Sequence, residues 1–140
     1  MKANELRIGN LVTVNNPEYY PKLKGVILRV TSISPNRDDY SIGLEHINQK
    51  PNTYYQSYSQ FIKFIEPIAI SEKLIVEFGF ENNELELGRW TFAKFWFNVK
   101  SGQLRLVDKS GLLLTHDNLK CVHQLQNLYF ALRNEELAIV

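Results

Sequence analysis

Three polar residues on one late segment are the first candidates for chemistry: His123, Gln126 and Asn127, within NLKCVHQLQNLYFALRN at residues 118–134. If the segment is helical, their spacing of three and four puts them on one face. Amide edges beside an imidazole can pair with main-chain groups, a peptide or a base edge. Such a face has two uses. It fastens the helix to neighbouring strands by pairing their exposed main-chain groups, or it reads a partner. Fastening is the commoner use.

Catalytic patterns are thin. The histidines, His46, His116 and His123, show no HxxxH spacing, and a single cysteine, Cys121, allows no CxxC. His116 and Asp117 adjoin, with His123 seven residues on. That is the nearest approach to an acid–base or metal cluster, and no second ligand type stands beside His123. Phosphate loops, nucleophile elbows and triad-like orders do not occur. The expectation is a protein that is not an enzyme, with no metal and no cofactor. Cys121 falls near a helix start, where the dipole favours a thiolate. Its ordinary alternative is a small buried hydrophobe beside Val122.

A second candidate face is aromatic. Tyr19, Tyr20, Tyr40, Tyr54, Tyr55 and Tyr58 lie in or beside predicted loops of the N-terminal half, with Tyr54, Tyr55 and Tyr58 the densest group. Such rings can stack on bases or grip a peptide. Lys22, Lys24, Arg29, Arg37, Lys50 and Lys63 could add phosphate contacts, but Glu18, Asp38, Asp39 and Glu45 dilute the field. Nucleic acid is therefore the second choice of partner, after protein.

The elements that must hold these residues read as follows. Strands are expected at 11–14, 26–33 and 40–44, with a turn over 34–39. A short strand at 53–56 and another at 61–65 complete a small SH3-like β-barrel or curved sheet over residues 1–66. Ser71 is the expected N-cap of a helix over 72–78, stopped by Gly79. Further strands are expected at 84–87, 90–99 with a bulge near Ala93 and Lys94, 104–107 and 112–114. The final helix carries an apolar stripe of Leu119, Val122, Leu125, Leu128, Tyr129 and Leu132, capped by Thr115, Asp117 or Asn118 and ended by Asn134. That stripe is expected to pack on Phe92, Phe95, Leu104 and Leu106. The tail, with Leu137, Ile139 and Val140, is a candidate edge strand.

The fold class is thus α+β, with an antiparallel meander and a C-terminal helix over residues 67–140, the whole divisible at Glu66-Pro67 or continuous as one domain. At 140 residues the chain can bury a core without disulfide or metal. Sixteen basic residues nearly cancel fifteen acidic ones, which argues against a dedicated polyanion binder. One cysteine, no signal-like start in MKANELRIGNLV and no apolar run near the roughly 20 residues of a membrane span favour a soluble, cytoplasmic protein with no membrane partner, monomeric or homodimeric.

Three stretches together carry a resemblance: ANELRIGNLV at 3–12, EPIAISEKLIVEFGF at 66–80, and LKCVHQLQNLYFAL followed by EEL at 119–137. The chain resembles a family of small uncharacterised proteins encoded by Bacteroidetes-type gut bacteria, their phages and mobile elements. VHQLQNLYFAL is the most specific part. Tyr in place of Cys121 and Thr-Gly in place of Arg133-Asn134 are common in that family, and Asn134 keeps a left-handed stop plausible. The resemblance implies a bacterial or phage cytoplasmic protein and no activity. The function expected of the chain is that of a non-enzymatic binding or adaptor module acting through protein contacts, as a phage or prophage accessory factor.

Overall fold

Alternation in LVTV produces β1 (Leu11–Val14), the strand on which the N-terminal sheet turns. The structure, a computed structural model, describes residues 1–37, 39–47, 58–82, 89–92, 95–98, 103–107, 113–116 and 119–139; in the strands between 89 and 116 it describes backbone pairing. Next come β2 (Leu28–Asn36) and β3 (Asp39–His46), a long hairpin. The expected turn over 34–39 is narrower than anticipated, because Pro35 pairs with Tyr40 and Asn36 with Asp39. Pro35 is tolerated there because β1 reaches only Leu28 and Arg29 of β2, so its missing N–H faces no strand. Arg37 makes the reversal at φ 49°.

The expected strand over 61–65 is split. β4 (Tyr58–Phe61) pairs with β3, a 3-10 turn follows at Ile62–Phe64, and β5 (Ile65–Glu66) pairs with β1. The turn is needed because the chain leaves the outer edge of β3 and must reach the far side of β1. The order β4-β3-β2-β1-β5 is antiparallel throughout. Its outer strands, β4 and β5, are joined by no ladder among the described residues. The sheet is open and not closed into a barrel. A register shift between Val30 and Ser32 marks a bulge opposite Gly43. A Cβ on Gly43 would lie 2.9 Å from Thr31 Oγ1 and nearer still to Ser32 Oγ, so a side chain there would force the bulge to shift. The strand expected at 53–56 lies outside the described residues.

Ser71 caps α1 (Glu72–Glu77), its hydroxyl accepting from the Leu74 N–H, and Gly79 ends the turn at φ 81°. After β6 (Glu81–Asn82), the expected single bulged strand over 90–99 is two strands. β7 (Arg89–Phe92) and β8 (Phe95–Asn98) form a hairpin with Phe92 opposite Phe95. What looked like a slip in alternation is a reversal of direction. β9 (Gln103–Val107) and β10 (Leu113–His116) complete a second antiparallel sheet, β10-β9-β8-β7-β6. The strand expected at 84–87 and the bulge pair Ala93 and Lys94 lie outside the described residues.

The final helix, α2 (Val122–Arg133), starts later than its sequence period suggests. Residues 119–121 are held extended instead: Ile70 N–H donates to Lys120 O, Val122 N–H to Ile68 O, and Ala69 bridges to Cys121. The N-cap is therefore Cys121, with the Gln124 side-chain oxygen accepting from the Cys121 and Lys120 N–H groups. Of the expected caps, Asp117 and Asn118 lie outside the described residues. Asn134 stops the helix at φ 56°, as expected.

The two cores are separate. One, of Val12, Val14, Leu28, Val30, Ile42, Leu44 and Ile65, lies within the first sheet. The other joins Leu11 to α1 through Leu74, Ile75 and Phe78, and to α2 through Val122, Leu125 and Tyr129. Leu128 and Leu132 pack on its margin, and Leu137 is buried in it although the tail over 135–139 forms no strand. The side chains of Phe92, Phe95, Leu104 and Leu106, the expected partners of the α2 stripe, lie outside the described residues. The fold is α+β.

Candidate functional site

The polar stripe of α2 meets the N-terminal segment. β5 is only two residues long, so the Leu11 N–H of β1 has no strand neighbour on that side. Gln126 replaces one. Its side-chain oxygen accepts from the Leu11 N–H at 2.9 Å, and its NH2 donates to the Leu137 carbonyl at 3.0 Å. Gln126 is only 1% exposed. The next residue, Asn127, donates to the Glu5 carbonyl at 2.8 Å and accepts from Asn10 Nδ2 at 2.9 Å. Asn10, itself fully buried, accepts from the Arg7 N–H. Arg7 lies with its guanidinium 3.7 Å over the Phe130 ring and paired with Glu136. The two amides of the stripe are committed to main chain and to Asn10, which is the fastening arrangement.

His123 is the exception. It is 3% exposed, and its Nδ1 has no hydrogen-bond partner. Burial pushes its pKa below the ordinary imidazole value; Glu5 opposes the fall and the N-terminal ammonium adds to it. A neutral imidazole is what this place holds. The cluster imagined with His116 and Asp117 falls outside the described side chains. Among the described residues no group of three or more His, Cys, Asp or Glu is placed to hold a metal ion. Cys121, half-buried, has its pKa raised by burial and by Glu5 against a smaller lowering from Lys120. The helix start therefore does not make it a ready nucleophile.

The aromatic face resolves differently from its sequence outline. Tyr58 is half-buried and structural: its ring meets Tyr20 and His46 edge-on at 5.8 and 5.5 Å, and its hydroxyl lies 3.1 Å from His46 Nε2. Tyr54 and Tyr55 lie outside the described residues. Tyr19 and Tyr20, on the β1–β2 connection, instead line a hollow of about 570 Å³ together with Phe61 and Phe64. Tyr19 is 69% exposed and Phe61 42%. The Lys63 ammonium lies near both phenyl rings, 5.6 Å from the Phe61 centroid and 5.0 Å from that of Phe64. The far wall is polar, built from Asn36 and from Ser41 and Ser59, whose hydroxyls share a hydrogen bond. At the floor, buried Asn16 donates to the Gln60 side-chain oxygen at 2.9 Å. Asn16 also accepts from the Tyr19 N–H, which fixes the loop that carries both tyrosines.

Compared with protein-family models, with curated proteins and with solved structures, the chain matches none. The site must therefore be read from its own chemistry. A smaller hollow of about 180 Å³ lies beside the α2 seam, between Leu11, Arg29, Ile47 and Leu137. Its polar groups are already engaged: Gln126 as above, Arg29 with Glu45, and Glu136 with Arg7. The larger hollow differs. The Tyr19 and Tyr20 hydroxyls and the Asn36 side-chain amide take no hydrogen-bond partner among the described residues, although the Tyr20 ring meets Tyr58, and the Gln60 side chain has only its carbonyl engaged. Phe61, Phe64, Asn16 and Gln60 were missed as site residues in the sequence because Phe61 and Phe64 read there as parts of one strand. The 3-10 turn between β4 and β5 brings both rings within reach of the Lys63 ammonium.

Proposed function

We propose that the protein is a non-enzymatic binding or adaptor module that grips a segment of another protein in the groove between the β1–β2 connection and the Ile62–Phe64 turn. The observation that carries this reading is the contrast between two polar faces. The amides of α2 are committed within the fold, whereas the groove combines exposed rings with side-chain polar groups that still lack partners. Mostly apolar concavities with a few unengaged polar groups are where ligands are held. In this reading α2 is a strut that holds β1, and the open N-terminal sheet is a small SH3-like scaffold for the groove. The likeness of residues 3–12, 66–80 and 119–137 to proteins of Bacteroidetes-type bacteria and their phages supports a cytoplasmic setting and a phage or prophage accessory role. No described helix is long and apolar enough to cross a membrane.

Single-stranded nucleic acid is the second reading, favoured by the exposed Tyr19 and Phe61 faces and by Lys63. One experiment separates the two. Immobilised protein and its Tyr19→Ala/Phe61→Ala variant are exposed to a host-type lysate with and without nuclease. Protein partners held by the wild type, lost by the variant and indifferent to nuclease are the expected result. Retention that survives the double substitution, or that nuclease abolishes, sinks the proposal.

A further inference from the structure

We draw no further inference here: the strongest candidate, the groove between the β1–β2 connection and the Ile62–Phe64 turn, belongs to the site already described, and nothing among the described residues shows what covers it.

Discussion

Replacing Gln126 by alanine should cost more stability than its polar, helix-surface sequence context suggests. The wild-type side chain closes two buried hydrogen bonds between elements far apart in the chain, to Leu11 N–H at 2.9 Å and to Leu137 O at 3.0 Å. Its third contact, to Gly9 O at 3.4 Å, is too long to weigh heavily. Truncation leaves a donor and an acceptor in a buried place, each worth about 1–3 kcal/mol when unsatisfied. A total near 4 kcal/mol is about a third of the stability of an ordinary domain. For a chain of this size that corresponds to a fall of about 12 °C in the melting midpoint.

A water molecule entering the vacated space would reduce the loss, so Gln126→Met is the companion variant. It keeps most of the volume, excludes water and removes both bonds. Thermal denaturation by circular dichroism measures the pair, and hydrogen exchange at the Leu11 amide reports on the seam directly. Both variants should melt well below the wild type, with Leu11 exchange accelerated more than that of Val30 in the sheet core. If both melt within about 2 °C of the wild type and the Leu11 amide stays protected, the coupling of α2 to β1 through Gln126 is wrong.

Two further outcomes are expected. His123 is buried with its pKa pushed down, so the unfolded chain binds the proton first, near the ordinary imidazole value of about 6.5. Stability from this residue is complete above that pH and is lost as pH falls through it toward the lower folded value. Urea midpoints at pH 7.5 and 5.5 should therefore differ less in His123→Gln than in the wild type; an unchanged difference refutes the assignment. Gly43→Ala should lower stability by about 1–3 kcal/mol through overpacking against the Thr31–Ser32 bulge. Adding Ser32→Ala should recover part of that loss in chemical denaturation. An additive double variant would show that the two residues do not collide.

Local chemistry was the legible part of the sequence. Alternation in LVTV, the Ser71 cap with Gly79, the Asn134 stop and the packing stripe through Leu125 and Tyr129 are each set by neighbours a few residues away. Misreadings occurred where long-range pairing overrides local pattern. Residues 119–121 have helical spacing but are held extended by Ile68 and Ile70. Residues 61–65 have strand composition, yet the chain must change edges of the sheet there and does so by a 3-10 turn. The Trp90–Phe97 stretch hid a hairpin because aromatic residues fit either strand, so no apolar-polar break marks the reversal. The groove was only half visible for the same reason: Tyr19, Tyr20 and Lys63 stood out by type, but the floor pair Asn16–Gln60 is a contact across 44 positions.

The strand order explains why the polar stripe lies so far from the groove. β1 is the next-to-last strand, and its outer neighbour β5 covers only Thr13 and Val14. At Leu11 the main chain needs a partner that no strand supplies, while the Leu11 side chain belongs to the core of α1 and α2. Docking a C-terminal helix there satisfies both needs at once, which is why residues that look suited to recognition are turned inward. At the other end of the sheet no helix docks among the described residues. There the short β4 and the following turn leave Phe61 and Tyr19 uncovered, and Gln60 with half its amide engaged. A division of the chain at Glu66 therefore follows the strand ladder but cuts the packing, because Leu11 lies in one sheet and in the core of the other half. Loss of α2 should loosen β1 and, through Asn15 and Asn16, the loop that carries Tyr19 into the groove.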